Sequence, residues 1–273
     1  MILDVAATVL ANTRLSPDYN VIALAAPDIA AAAAPGQFVM VKPQAGLDPL
    51  LRRPFSIFEV VRDAAGKIAG LSLLNKRVGV GTSLLYEAVA GDRVQVLGPL
   101  GQPFVPVDAP AEAWMVAGGA GLAPFSTLAE ALAARGTTMR LFYGARSAAD
   151  LYYADWFGER GAALDLTTED GTRGEHGRVT APLARALAGF SGELTIYTCG
   201  PTPMMRAVAE LGARHGRPVY ASLEPVMGCG MGGCYSCVVP VMREGRSHFV
   251  RSCIEGPVFD TARLVWDALP AGH

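Results

Sequence analysis

Up to about residue 105, apolar positions come in short runs broken by Gly, Pro and Asp. Residues 37–42 alternate around Phe38 and Met40, and residues 55–61, 71–76 and 93–97 are rich in β-formers. Short strands separated by turn signals, with little helix, predict a barrel or sandwich. Residues 82–89 are the exception, a short predicted helix after a Gly-x-Gly turn. Two prolines and an Asp in residues 106–110 predict a linker. Beyond it the pattern changes to strand, glycine turn, helix, strand. Residues 114–117, 139–143, 164–168, 194–198 and 219–222 predict strands, and 124–135, 180–188 and 204–215 predict helices. Strands alternating with helices argue for a parallel sheet with crossovers.

Composition narrows the class. The chain has 273 residues, enough for two domains, and 51% of them are hydrophobic against 18% charged, so large cores are easily built. A net charge of −2 argues against an electrostatic nucleic-acid binder. The Ala-rich residues 29–34 are too few to cross a bilayer, and Met1-Ile2-Leu3-Asp4 lacks the basic start of a signal peptide. Five cysteines, four of them in one motif, fit a reducing cytoplasm.

Those four cysteines carry the clearest chemistry. Cys229-x4-Cys234-x2-Cys237 with a later Cys253 is the plant-type ligand spacing of a [2Fe–2S] cluster. Glycines at 228, 230, 232 and 233 let the backbone turn its N–H groups toward the sulfur atoms. A zinc site more often uses two symmetric Cys pairs, and disulfides suit small secreted chains.

A one-electron carrier needs a source of electrons. In Arg52-Arg53-Pro54-Phe55-Ser56-Ile57 an Arg can meet a phosphate, an aromatic a ring, and Ser56 a ring nitrogen such as flavin N5. An ordinary amphipathic strand with a basic start reads the same way. Lys76-Arg77-Val78-Gly79-Val80-Gly81-Thr82-Ser83 offers a helix N-terminus to a pyrophosphate, or a plain N-cap through Thr82 or Ser83. In the second half, Gly118, Gly119 and Gly121 follow a strand and open a helix, as a dinucleotide loop does, with Pro124 at the third glycine position. Cys199-Gly200-Pro201 sits at a strand end, where α/β sheets bind ligands. Arg146 ends another strand and suits a 2′-phosphate, while Asp150, Asp155 and Glu169 read as solvated surface charges. His176, His215, His248 and His273 show no ligand spacing, and Met204-Met205 reads as helix packing.

Arg-Pro-Phe-Ser-Ile, Gly-x-Gly-Thr before a helix, Leu97-Gly98-Pro99-Leu100-Gly101 and the cysteine loop occur in this order. Over nearly its whole length the chain resembles the ferredoxin-reductase flavoprotein superfamily. Within it, the chain is most similar to the electron-transfer subunits of two-subunit, NAD-dependent dihydroorotate dehydrogenases. The resemblance implies a β-barrel FAD domain (1–105), an α/β parallel-sheet nucleotide-binding domain (110–222), a [2Fe–2S] segment (223–258) and a C-terminal tail (259–273). It implies FAD held by Arg53, Pro54, Phe55 and Ser56 at the flavin end, Leu74, Asn75 and Lys76 along the cofactor, and Gly81 and Thr82 at the pyrophosphate. Phe55 stands where many members have Tyr. Cys199 would lie beside the nicotinamide, near the hydride path with Ser56, and Glu224 near the flavin. NAD(H) is the implied diffusible substrate. An FMN-containing catalytic subunit, joined in a heterotetramer, is the implied partner that oxidises dihydroorotate. Subunits of ferredoxin–NAD(P), sulfide or hydrogen redox complexes share these motifs, and a structural zinc-binding adaptor is the reading of another class.

Overall fold

A computed structural model describes residues 1–269 and arranges them in two seven-stranded sheets and a small hairpin unit. The first sheet comprises β1 (Leu3–Arg14), β2 (Tyr19–Leu24), β3 (Phe38–Lys42), β4 (Arg53–Ser56), β5 (Glu59–Arg62), β6 (Ile68–Lys76) and β7 (Arg93–Leu100). Its order is β4-β3-β7-β1-β2-β6-β5, and its pairings are antiparallel. The two edge strands, β4 and β5, are separated in the chain only by Ile57 and Phe58. The sheet therefore curls until its edges lie two residues apart, which makes the expected barrel. Residues 55–61 are correspondingly not one strand. The chain turns at the buried Ile57 and Phe58 and passes from pairing with β3 to pairing with β6.

The barrel interior holds Ala7, Val9, Ile22, Val39, Leu73 and Val96 among others. Short α1 (Pro27–Ala32) and α2 (Val80–Glu87) pack on it through Ile29 and Leu85. The alternation Leu3, Val5, Ala7, Val9 is the sequence signal for β1.

The second sheet contains β8 (Glu112–Gly118), β9 (Met139–Ala145), β10 (Ala162–Thr168), β11 (Glu175–His176), β12 (Leu194–Cys199) and β13 (Val219–Ser222), all parallel. Helices α3 (Phe125–Ala133) and α4 (Ala154–Glu159) cover one face through Phe125, Leu128 and Phe157. Helices α5 (Thr180–Ala188) and α6 (Thr202–Arg214) cover the other through Leu183, Leu187 and Val208. The order β11-β10-β9-β8-β12-β13 reverses direction at β8. The crevice at the carboxyl ends of β8 and β12 is thus the topological switch point, the usual ligand position of an open parallel sheet.

A hairpin of β14 (Val238–Arg243) and β15 (Arg246–Arg251) follows, turning through Glu244 and Gly245, both at positive φ. Two consecutive positive-φ residues are the mark of a tight hairpin turn. After α7 (Ser252–Glu255), β16 (Val258–Asp260) returns and pairs antiparallel with β13. The boundary expected at 258/259 therefore falls inside a strand. Phe259 and Leu264 are core residues, packed with Leu223, Val239 and Val241, so residues 259–264 are no loose tail. His273 lies outside the described residues. No helix among the described residues is long and apolar enough to cross a membrane.

Candidate functional site

The two basic residues entering β4 separate. Arg52 makes a two-pronged pair with Asp4 at 2.9 Å, while Arg53 lies over the first turn of α2. An added Cβ on Gly81 would stand 3.3 Å from Arg53 Cγ and Nε, so only glycine leaves this approach relaxed. Arg53 donates to the Leu51 carbonyl at 2.6 Å and has no acidic partner among the described residues. A free guanidinium beside the unpaired N–H groups of a helix start is suited to a phosphate.

Thr82 has a different task from direct contact. Its hydroxyl accepts from the N–H groups of Val78 and Gly79 at 2.9 and 3.0 Å and donates to the Gly79 carbonyl. It shapes the loop, and what remains for a pyrophosphate is the backbone. Beneath it runs a buried amide ladder. Asn75 Nδ2 donates to Asn20 Oδ1 at 2.7 Å and to the Thr82 carbonyl at 3.0 Å, and Asn20 donates to Asn12. Asn12 in turn donates to the carbonyls of Leu85, Tyr86 and Ala88, which closes the far end of α2. Asn75 Oδ1 is buried with no partner, an acceptor left for a donor.

Pro54 and Ser56 alternate with Phe55 across β4. Phe55 is buried with the barrel core, so little of its ring is left to stack on a flavin. Leu74 instead reaches the domain boundary, where it packs with Tyr19, Val21, Phe58 and Ala123, and with Ala120, Tyr152 and Tyr153. Tyr152 donates to Ser16 Oγ at 2.9 Å across the same boundary. Lys76 is exposed and lies 5.7 Å above the Tyr19 ring.

The two glycine motifs of the second domain meet in the crevice. An added Cβ on Gly118 would lie 2.8 Å from Pro201 Cδ and from Met204 Sδ, and one on Gly200 would lie 3.0 Å from Gly118 N. One on Gly121 would overlap the Cys199 carbonyl. Gly119, at φ +54, faces open space. Met204, read from sequence as mere packing, touches both loops, while Met205 is core as expected. Cys199 is fully buried, and burial pushes its thiol well above the ordinary value, with the charge of Glu224 adding to it. A thiol held neutral is a poor nucleophile. Glu224 faces the same cleft. Its side chain is open to solvent; desolvation raises its carboxyl and the Lys76 charge opposes that.

The four motif cysteines stand in two couples. All four are free; Cys229 and Cys234 act on each other, as do Cys237 and Cys253, and Cys237 Sγ accepts the Cys253 N–H at 3.4 Å. Cys229 Sγ accepts the N–H groups of Met231 and Gly233 at 3.4 and 3.3 Å. The Ser236 hydroxyl, 3.2 Å from Cys234 Sγ, leads in pulling that thiol down to about 6, whereas burial pushes Cys253 up to about 12. Among the described residues, no three His, Cys, Asp or Glu side chains gather tightly enough for one metal ion. Two couples with inward N–H donors suit two irons with two thiolates each better than one tetrahedral zinc. Gly230 and Gly232 sit at positive φ, and so does Tyr235, under the Arg251 guanidinium.

This loop packs on the barrel. Cys237 and Cys253 share a buried cluster with Phe38, Met40, Leu97, Leu100 and Met227. Phe38 is the register partner of Ser56, and Met40 that of Pro54. Phe38 and Met40, at hydrophobic strand positions, gave no sequence signal of this contact.

A profile of the oxidoreductase NAD-binding domain matches residues 115–210. One of the iron–sulfur cluster binding domain of dihydroorotate dehydrogenase B matches residues 224–265. The chain is 37% identical over 261 residues to the dihydroorotate dehydrogenase B (NAD(+)) electron transfer subunit of Desulforamulus reducens, covering 96% of this chain and 98% of that one. It is 40% identical over 233 residues to the corresponding subunit of Geobacillus kaustophilus, covering 85% and 86%. Among solved structures, one of an NADH-dependent reduced ferredoxin-NADP oxidoreductase superposes with a TM-score of 0.83 at 27% identity, covering 97% of this chain and 91% of that one.

Proposed function

The chain belongs to the family of electron-transfer subunits of dihydroorotate dehydrogenase B, and from that premise we propose that it carries electrons between NAD(H) and an FMN-containing catalytic subunit by way of FAD and a [2Fe–2S] cluster. When bound, a flavin interconverts hydride and single electrons, and an iron–sulfur cluster carries the single electrons. One observation carries the reading: the barrel touches both other sites. Leu74 packs against the loop holding Ala120 and Ala123, and Phe38, paired with Ser56, packs against Cys237 and Cys253.

The residues divide the work. Arg53 and the backbone at Gly81 and Thr82 hold the FAD phosphates, with Thr82 as the loop's internal brace. Pro54, Ser56, Leu74, Asn75 and Lys76 line the flavin, and Ser56 faces its N5. Gly118, Gly119 and Gly121 give NAD(H) close access to backbone, and Cys199, Gly200 and Pro201 limit where its nicotinamide lies. Cys229, Cys234, Cys237 and Cys253 hold the cluster. We assign the deprotonation of dihydroorotate, on the way to orotate in pyrimidine biosynthesis, to the partner.

Around the cysteine loop the surface is apolar. Met231, Tyr235, Val238, Phe249 and Ile254 are all exposed, Phe249 to 73%. Such a patch marks a protein contact, and it fits the catalytic subunit, in a heterotetramer. Five free cysteines fit a cytoplasmic site. The likeness in fold to a ferredoxin-NADP oxidoreductase favours a second reading, a subunit of that kind of complex.

Purification with and without a co-expressed FMN subunit tests the choice. The pair is expected to reduce NAD with dihydroorotate, and the chain alone is not. A pair that binds flavin and iron but shows no such activity would favour the second reading.

A further inference from the structure

One sulfur of the cysteine loop meets a side-chain hydroxyl. Cys229 and Cys237 accept backbone N–H groups, from Met231 and Gly233 and from Cys253. Cys234 Sγ has the Ser236 hydroxyl at 3.2 Å, a partner that a substitution can remove.

That hydroxyl is held from its other side. Gly228 N donates to Ser236 Oγ at 2.8 Å, across the turn of the loop. The oxygen thus gives an acceptor position to the backbone, and its hydrogen is left for the sulfur. A cysteine that ligates iron is a thiolate with no hydrogen of its own. In the loaded loop the serine therefore donates and the sulfur accepts. Gly228 makes the room for this. A Cβ there would stand 3.1 Å from Cys234 Sγ and 3.3 Å from Ser236 Oγ, tighter than ordinary contact with both. Gly228 does not sit at positive φ, so its missing side chain serves this close packing and not a strained turn.

Tyr235, the other polar side chain between Cys234 and Cys237, is engaged elsewhere. Its ring lies 4.9 Å from the Arg251 guanidinium, which also donates to the Gly232 carbonyl at 2.9 Å.

One electron taken from the reduced flavin adds one negative charge to an iron–sulfur group and its thiolates, and no proton need follow. A hydrogen-bond donor aimed at a ligand sulfur favours the more negative state and raises the reduction potential. Resting on the reading that these cysteines hold a [2Fe–2S] cluster, we infer that Ser236, set by Gly228, raises the potential at which that electron is accepted. It acts through Cys234 Sγ and touches no iron, so it is a positioning residue.

The test is a spectroelectrochemical titration of the flavin- and cluster-loaded protein, which reads the cluster midpoint without turnover or partner. Ser236→Ala is expected to lower the one-electron equilibrium constant about fivefold, the scale of one net hydrogen bond, or ~40 mV at about 59 mV per tenfold. Ser236→Thr keeps the hydroxyl and should keep the wild-type midpoint, and Tyr235→Phe should not move it. Where Ser236→Ala holds no iron, Gly228→Ala supplies the reading. It retains the hydroxyl but crowds it off the sulfur, and its midpoint should fall too; a midpoint there that does not fall overturns the inference. So does an unmoved or raised midpoint in iron-replete Ser236→Ala, or a fall as large in Ser236→Thr or in Tyr235→Phe. Wild-type protein that shows no [2Fe–2S] spectrum after reconstitution with iron and sulfide would instead sink the cluster reading itself.

Discussion

Gly121 and Cys199 approach each other so closely that a Cβ on the glycine would overlap the cysteine's carbonyl oxygen. The contact joins the loop after β8 to the loop after β12 and sets the width of the crevice between them. Gly121→Ala must push the loops apart. A displacement of about 1 Å costs on the order of 100-fold in kcat/KM, and that loss is expected for NADH oxidation with flavin still bound. Gly119→Ala is the control. Its Cβ meets open space, and only the left-handed backbone is penalised, by about 1–2 kcal/mol of stability. Steady-state kinetics with ferricyanide and a melting curve separate the two; equal kinetic losses would refute the account.

Arg53 stands over Gly81 with no acidic partner among the described residues, so its charge is free for a phosphate. A charge-assisted hydrogen bond is worth about 1.5–3 kcal/mol. Arg53→Ala should therefore weaken FAD binding by roughly ten- to a hundredfold, with Arg53→Lys between. Thr82→Ala removes the loop brace and is expected to lower stability by about 1 kcal/mol, as loss of a helix cap does. Flavin fluorescence titration of deflavinated protein reads the first, and thermal unfolding the second. Unchanged FAD affinity in Arg53→Ala would place the phosphates elsewhere.

Glu224 carries a pH signature. Desolvation by the atoms around it raises its carboxyl above the ordinary range, and the Lys76 charge opposes this. A carboxyl raised in the folded state binds its proton more tightly there than in the unfolded chain. Folding is then penalised as pH rises from the unfolded carboxyl's range through the folded one, and the penalty is full above it. Because the side chain is open to solvent, screening keeps the effect modest. Glu224→Gln should melt higher than wild type at neutral pH, the gap closing as pH falls through the carboxylate range. A gap that widens on acidification would show the opposite shift.

Cys199 is held neutral by burial, so it should resist alkylation. Native holoprotein treated with iodoacetamide at pH 8 is expected to carry no label at Cys199 by peptide mass spectrometry, while denatured protein carries it fully. Cys199→Ala should retain NADH oxidation within about tenfold, since orientation and not nucleophilic attack is what hydride transfer requires. Rapid native labelling would mean that the thiol is reachable and ionised.

How much of this was legible in the sequence depended on how local each constraint is. Ligand spacing is local, so Cys229, Cys234 and Cys237 announced themselves. A backbone that must admit another backbone needs glycine at that very residue, so Gly118, Gly121 and Gly200 did too. Nothing in Phe38 or Met40 marks them as neighbours of Cys237, because that contact is made by distant segments brought together only by folding. The same holds for Met204 across Gly118 and for Tyr152 on Ser16. Thr82 was ambiguous for another reason: one hydroxyl serves a cap or a phosphate equally well, and only its three partners decide. The break at Ile57 and Phe58 was hidden because both flanking strands, β4 and β5, share a β-rich composition. The hairpin turn at Glu244 and Gly245 went unread, because Glu is a rarer choice than Asn or Asp at such a turn.

Gly230 of the cysteine loop packs against Met40 of the barrel. A Cβ on Gly230 would overlap Met40 Cγ, and the glycine sits at φ +73. Met40 pairs with Pro54, one strand away at about 4.8 Å, so the cluster loop rests on the neighbour of the flavin-lining strand. Gly230→Val should lift the loop from β3 while leaving the crevice of the second domain untouched. Two rates then part company. Reduction by NADH in stopped flow should keep its wild-type flavin bleaching rate, and transfer onward, read by cluster absorbance or by reduction of a one-electron protein acceptor, should slow. Iron content must be measured alongside, and Met40→Ala, which relieves the overlap from the other side, should restore part of the onward rate in the double variant. If both rates fall together with iron intact, the loop's seat on β3 is not what sets the second step.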